Sequence, residues 1–201
     1  MKDLIALTVR VFNDVLPTST DVHFLYSQTP DNEQSVIEAA LKAKKNNFTN
    51  AWLIMQTKAI SGYEGFEVFS KSLIKAGISE THIMGAFSDQ EILHTLIESM
   101  AVVSFCKERG YKSLLVSAAP FQQVRAFMTA VTAAMRIYPT LKIYSLAGKA
   151  YDWNEKVIHS QGKTTGTRAE LINGEIDRIG IYGEKGDILK VPEVHAYLDR
   201  R

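Results

Sequence analysis

The stretch "VHFLYSQTPDNEQSVIEAALKAKK" (Val22–Lys45) contains the pattern that decides the fold. Its first five residues form a compact run, rich in strand-forming side chains, that is typical of a buried strand. After a polar, turn-like segment, four apolar residues share one helical face: Val36, Ile37, Ala40 and Leu41. A buried strand followed by a one-sided helix is the repeating unit of a parallel sheet with helical crossovers.

The same unit recurs along the chain. Apolar runs within residues 51–55, 81–87, 112–119 and 140–147 predict four more strands. The helices predicted between them run from about Phe66 to Gly77, from 95 to 110, and from 121 to 138 before Pro139. This alternation predicts an α/β fold with a mostly parallel five-stranded sheet that is covered by helices on both faces.

The two ends of the chain do not follow this pattern. The first twenty residues predict a helix outside the sheet. Residues 151–168 are polar with no clear period, and the helix after them is expected to present Leu171, Ile172, Ile176 and Ile179 on one side. A short final helix follows. We therefore expect one domain over 1–201, with a core at about 21–146 and a C-terminal helical extension at about 150–201.

Composition excludes several classes of protein. Lys and Arg (23) nearly cancel Asp and Glu (22) in the 201 residues, which argues against a nucleic-acid or membrane partner held by charge. A single cysteine, Cys106, allows no internal disulfide, and the five histidines form no helical ligand pair, so no metal site is expected. Without a secretory signal or a bilayer-length apolar run, the expected location is the cytoplasm.

Ligands of open parallel sheets bind beyond the carboxyl ends of the strands. The loops there are 27–32, 56–65, 87–95, 117–125 and 148–154. No dinucleotide fingerprint or nucleophile elbow occurs in the chain, and "GKT" at 162–164 lacks the first glycine and the strand of a phosphate loop. The candidate ligand-binding residues in or near these loops are Gln28, Thr29, Asn32, Ser61, Gly62, Thr95, Gln122, Arg125 and Trp153, with Glu64 and Glu98 as candidate bases.

Several candidates have a purely structural interpretation. Thr95 and Glu98 have the spacing of a capping box, and Thr29 before Pro30 is a typical helix start. Trp153 fits a stacking wall or a core position equally well. His159 lies in a polar segment at the edge of the predicted cleft, where a structural or solvated histidine is the alternative to a functional one.

Arg125 is the candidate with the most informative position. It borders the buried stripe of its helix, three residues before Met128. It also lies early in that helix, where a cation opposes the helix dipole. This position favours an anionic partner, either a ligand or a carboxylate such as Glu98 or Glu64. An arginine that extends along the helix flank to solvent is the alternative.

The order of these motifs resembles that of the YdcF-like family of bacterial domains, which also includes SanA and ElyC. The similarity is carried by Ser61-Gly62 with Glu64, by Thr95 with Glu98, and by the segment 120–126, and it runs from about 21 to 146. The resemblance implies a Rossmann-like three-layer α/β/α sandwich in which these residues line one cleft. It also implies that Arg125 faces that cleft.

The chain departs from the family at two positions. The glycine-rich first loop of the family is "SQTPDN" here, and Gln122 occupies the position of a family histidine. Glutamine forms hydrogen bonds but exchanges no proton near neutral pH. Any acid–base role is therefore expected at Glu98, Glu64 or His159. The membrane segment of SanA and ElyC is missing.

Two functions stay open from the sequence. The first is a cytosolic small-molecule-binding protein, with or without enzyme activity, whose ligand is anionic: a nucleotide, an adenosyl cofactor or a phosphorylated metabolite. The second is a non-catalytic partner-binding protein with a degenerate pocket, which works through its C-terminal extension. Neither function fixes a cofactor, and a homo-oligomer is compatible with both.

Overall fold

A computed structural model describes residues 2–159 and 162–201 and contains a five-stranded, all-parallel sheet. The strand order is β3-β2-β1-β4-β5, which confirms the predicted α/β, Rossmann-like class. All residues of β1 and β2 are buried, as expected for strands covered on both faces. The strands are β1 (Val22–Leu25), β2 (Trp52–Met55), β3 (Ile83–Ala86), β4 (Ser113–Ser117) and β5 (Lys142–Ser145).

Seven α-helices accompany the strands in the described part of the chain, and none of them combines the length and hydropathy that crossing a bilayer requires. α2 packs against α3, whereas α4 packs against α5, so each pair covers one face of the sheet. α1 lies outside the sheet, as predicted, and contacts α5 and α7. The helices are α1 (Lys2–Phe12), α2 (Pro30–Lys45), α3 (Phe66–Lys75), α4 (Thr95–Arg109), α5 (Gln123–Ile137), α6 (Arg168–Lys185) and α7 (Val191–Arg200).

The C-terminal extension contains a hairpin that the sequence did not predict. β6 (Lys156–His159) pairs antiparallel with β7 (Thr164–Thr167). Burial alternates along β6, with Val157 and His159 inward. Four residues are too few for a clear period, and the partner strand consists of threonine and glycine, which gives no apolar signal. The extension is therefore not purely helical.

The inward face of α6 differs from the predicted one. Its buried residues are Arg168, Leu171, Glu175 and Ile179, which recur at spacings of three and four. Ile172 and Ile176, expected on the buried side, are 36% and 46% exposed. The prediction placed the apolar residues of this helix on its buried side. It failed because two of the four inward positions are occupied by charged residues.

The outer edge of β5 is closed by side chains instead of a sixth strand. The backbone N–H of Ile143 donates to the Tyr197 hydroxyl at 2.6 Å, and that hydroxyl donates to the Leu141 carbonyl at 3.1 Å. Asp14 accepts from the Ser145 N–H at 2.9 Å. The helical segments outside the sheet thus satisfy the backbone groups that an edge strand usually leaves free.

Gly62, in the loop after β2, provides a test of how closely that loop approaches the hairpin. Its φ of 79° belongs to the left-handed region, and a Cβ there would lie 2.9 Å from the Gly162 nitrogen. We expect Gly62→Ala to lower the free energy of unfolding by about 1–3 kcal/mol, measured by urea denaturation.

Gly180 is the matched control for this substitution. It lies within α6, and a Cβ there has no neighbour within 4 Å. Gly180→Ala should therefore stabilise the protein by about 0.5–1 kcal/mol through helix propensity. Equal effects of the two substitutions would show that the loop does not require a glycine at position 62.

Candidate functional site

A cavity of about 100 Å³ lies at the carboxyl end of the sheet. The loops after β1 and β4 both reach it, and the strand order reverses between these two neighbouring strands. Sheets of this type bind ligands at that point. Eight residues predicted from the sequence lie in the cavity wall: Gln28, Thr29, Ser61, Thr95, Glu98, Gln122, Arg125 and His159.

Arg125 points into the cavity wall and is paired there with a carboxylate. Its Nε donates to Oε2 of Glu175 at 2.6 Å and its Nη2 to Oε1 at 3.3 Å. The two side chains are only 9% and 3% exposed. Arg125 Nη1 also donates to the Thr95 hydroxyl at 2.9 Å. The carboxylate partner expected from the sequence was Glu98 or Glu64, whereas the structure assigns this role to Glu175 on α6.

Glu175 also contacts two further basic side chains. Arg178 Nη1 lies 2.6 Å and His159 Nε2 lies 3.1 Å from its Oε1. Burial by itself would raise the pKa of Glu175, but Arg125 and His159 outweigh that effect and hold the pKa at about 2. This carboxylate is therefore ionised throughout the neutral range. Phe121 packs edge-on against the His159 ring, with centroids 4.9 Å apart, and fixes its orientation.

Glu98 lines the cavity, and its pKa is shifted in the opposite direction to that of Glu175. Its Oε2 accepts from the Ser27 backbone N–H at 2.8 Å, and the side chain is buried. Burial raises the pKa of Glu98 to about 7, although the bonds from Ser27 and the charge of Arg125 act against this shift. Near neutral pH this group can therefore hold or release a proton.

The structure excludes a capping box, which was the alternative structural interpretation of Thr95 and Glu98. The N-cap of α4 is His94, whose Nδ1 accepts from the Ile97 N–H at 3.5 Å. Glu98 instead bonds across to the loop after β1, and Thr95 bonds to Arg125. Both side chains are thus available to the cavity because a histidine caps the helix.

Two glutamines connect the first and fourth loops. Gln28 Nε2 donates to Gln122 Oε1 at 3.1 Å, and Gln122 Nε2 donates to the Thr95 hydroxyl at 3.4 Å. Gln122 therefore takes part in a chain of hydrogen bonds that ends at Arg125. This chain orients the cavity wall without a titrating group at position 122.

Thr29 and Asn32 attach the hairpin to the first loop. The Thr29 hydroxyl donates to the Ile158 carbonyl at 2.7 Å, and Asn32 Nδ2 donates to the same carbonyl at 3.1 Å. Thr29 occupies the N-cap position of α2, as predicted, but its side chain makes no capping bond. Asn32 Nδ2 also lies within hydrogen-bond distance of the hydroxyl of the lining residue Thr29, and Gly62 lies in the chain between the lining residues Ser61 and Tyr63.

Four of the twelve predicted site residues are absent from the lining: Asn32 and Gly62, described above, and Glu64 and Trp153. Glu64 is exposed and borders a separate groove beside Gly65 and Phe66. Trp153 is 39% exposed, and its carbonyl accepts from the Ala169 N–H at the start of α6. Neither side chain lines the wall that contains Arg125 and Glu98.

Sequence reasoning missed several residues of the site. They are the lining residues Ser27, Tyr63, Leu93, His94, Arg178 and Tyr182, together with Glu175, which pairs with Arg125. For Glu175 a signal existed, because it lies in phase with Leu171 and Ile179 on the inward stripe of α6. An acidic residue at such a position indicates a buried basic partner. The described residues contain no group of three or more His, Cys, Asp or Glu side chains suited to a metal ion.

No protein-family model, curated protein or solved structure matches this chain at a significant level. The resemblance to the YdcF-like family therefore stays a hypothesis carried by short motifs. What the structure adds is the geometry around Arg125, Glu98 and Glu175.

The raised pKa of Glu98 predicts a specific pH dependence of stability. Its ordinary value is 4.5, and its value in the folded protein is about 7, so the folded state binds the proton more tightly. The contribution of Glu98 to the free energy of unfolding is fully present below pH 4.5. It decreases by about 3 kcal/mol as the pH rises through 7. Glu98→Gln should remove this loss in urea denaturation between pH 5 and 8.

Exposed Glu64 supplies the control. Glu64→Gln removes the same charge outside the cavity and should leave the pH profile of the parent protein unchanged. A Glu98→Gln profile parallel to that of the parent would contradict the assignment of this titration to Glu98.

Proposed function

We propose that this chain binds a small ligand through an anionic group in the cavity at the end of the sheet. The supporting observation is the convergence of Arg125, His159 and Arg178 on one buried carboxylate, Glu175. Glu175 supplies one negative charge and Glu98, with a pKa of about 7, supplies part of a second, whereas the guanidinium groups of Arg125 and Arg178 supply two positive charges. An anionic group at the cavity wall is therefore electrostatically favourable at and below neutral pH. The Nη protons of Arg125 that bond neither Glu175 nor Thr95 suit phosphate or carboxylate oxygens.

Glu98 gives the same cavity a group for proton transfer. Since its pKa lies near 7, a protonated and an ionised form coexist at neutral pH. If the chain is an enzyme, Glu98 is the acid or base, and Arg125 stabilises negative charge that develops on the ligand. Glu64 lies in another groove and has no part in this proposal.

The proposal retains the YdcF-like resemblance and a cytoplasmic location. Ser61, Thr95, Glu98 and Arg125, which carry that resemblance, all line the cavity, which supports a shared cleft. The one cysteine, Cys106, is buried and free, which is compatible with a reducing compartment. Neither nucleic acid nor a membrane is proposed as a partner.

Inorganic phosphate is a direct probe of the anion site. In isothermal titration calorimetry, we expect Arg178→Gln to weaken phosphate binding about tenfold, because one charge-assisted contact is lost. Glu175→Gln should strengthen binding by a similar factor, since it removes the carboxylate that competes with the ligand for Arg125. Arg178 is chosen because, at 22% exposure, its loss endangers folding less than the loss of buried Arg125.

Asp177→Asn is the matched control for Glu175→Gln. It removes one negative charge from the exposed side of α6 and should leave phosphate binding unchanged. Absence of phosphate binding in both the parent protein and Glu175→Gln would overturn the proposal. Equal gains in Asp177→Asn and Glu175→Gln would reduce it to an effect of net charge.

One observation favours the second function, a partner-binding protein with a degenerate pocket. Arg125 already has an internal counterion, so the pocket is stable without a ligand. On the flank of α6 next to its buried stripe, Ile172 and Ile176 expose apolar surface at helical spacing. A second copy of the chain is the simplest partner for such a face.

Sedimentation velocity separates this second function from the first. A partner-binding protein should form a dimer that is lost in the double variant Ile172→Ser/Ile176→Ser and kept in Arg178→Gln. A monomer at all accessible concentrations, or a dimer unaffected by the two serines, would contradict it.

A further inference from the structure

The uncharged residues that line the cavity at the end of the sheet indicate which groups the ligand carries besides its anionic group. Eight side chains of the described lining carry a hydroxyl or amide group: Ser27, Gln28, Thr29, Ser61, Tyr63, Thr95, Gln122 and Tyr182. Leu93 is the one aliphatic residue in the described lining. Cofactor pockets are usually lined predominantly by apolar and aromatic side chains. The lining of this cavity is polar instead.

The hydrogen-bonding capacity left in this lining can be counted. Both lone pairs of the Thr95 hydroxyl accept bonds, from Arg125 Nη1 and Gln122 Nε2, so its O–H is free to donate. The Ser61 oxygen accepts from the Leu93 N–H at 3.1 Å, and its proton is likewise available. Gln28 donates through Nε2 to Gln122, so its Oε1 can accept. A donor–acceptor set of this kind matches alcohol groups, which both accept and donate.

The volume limits the size of the ligand. The cavity measures about 100 Å³, whereas pockets for drug-sized molecules start at roughly 300 Å³. The neighbouring cavity of about 180 Å³ shares Thr95 and Arg125 but also contains the carboxylate of Asp187. A nucleotide exceeds the volume of the first cavity, although the rings of Tyr63 and Tyr182 lie in its lining. Trp153 lies outside it.

We infer that the ligand is a short polyol phosphate, with its phosphate at Arg125 and Arg178 and its hydroxyl groups at Ser61, Thr95 and Gln28. This inference rests on the proposed anion-binding function and narrows it. Of the ligand classes expected from the sequence, it selects a phosphorylated metabolite over a nucleotide or an adenosyl cofactor.

Four probes test the inference by calorimetry: inorganic phosphate, propyl phosphate, glycerol 3-phosphate and AMP. The second and third have the same carbon chain and differ by two hydroxyl groups. We expect glycerol 3-phosphate to bind about tenfold tighter than propyl phosphate, as two net hydrogen bonds provide. AMP should bind no tighter than inorganic phosphate.

Substitutions in the cavity wall test whether its hydroxyl groups cause the tighter binding of glycerol 3-phosphate. The double variant Ser61→Ala/Thr95→Val should abolish the difference in affinity between glycerol 3-phosphate and propyl phosphate. Both probes are compared on the same variant, because loss of the Thr95 hydroxyl also changes the contacts of Arg125. Ser104→Ala, in the separate groove beside α4, is the control and should keep the tenfold difference.

The outcomes separate the two proposals. Equal binding of glycerol 3-phosphate and propyl phosphate, or tighter binding of AMP than of glycerol 3-phosphate, overturns the polyol inference and leaves anion binding intact. Persistence of the tenfold preference in the double variant overturns the assignment of the hydroxyl sites. No binding of any probe, in the parent protein or in Glu175→Gln, overturns the proposed function itself.

Discussion

The buried ion pair between Arg125 and Glu175 connects the two parts of this molecule. Arg125 belongs to the sheet-and-helix core, and Glu175 belongs to the C-terminal extension. Removing both charges from water is costly, and only close, bidentate geometry with further hydrogen bonds offsets that cost. His159, Thr95 and Arg178 supply those bonds. The extension therefore completes the wall of the cavity, and the cavity depends on the position of α6.

The same pair sets the chemistry of the cavity. Glu98 faces the cavity and Glu175 is paired with Arg125 of the cavity wall, and the pKa values of these two carboxyl groups, about 7 and about 2, lie far apart. Burial dominates at the first, and basic neighbours dominate at the second. One carboxyl can therefore exchange a proton at neutral pH while the other stays a fixed negative charge. The difference between the two pKa values depends on which side chains contact each carboxyl group.

Much of this arrangement could be predicted from the sequence, because strand and helix periodicity is local. The five strands, their loops and the position of Arg125 near a strand end follow from short runs of residues. The identity of its partner does not, since Glu175 lies 50 residues away and looks like an interruption of an apolar face. The alternative capping role of Glu98 stayed open for a related reason, because only the structure shows that His94 caps α4. The hairpin was not predicted because the threonine and glycine residues of β7 show no hydrophobic period.

The closed edge of β5 makes the two sides of the sheet unequal. Tyr197 and Asp14 occupy the backbone groups there, whereas β3, at the other edge, pairs with β2 alone in the described part of the chain. An incoming extended peptide can form a ladder only where N–H and C=O groups are unoccupied. Strand addition, whether by a natural partner or during aggregation, therefore has one direction of growth in this protein. It starts at β3, on the side of the sheet away from α7.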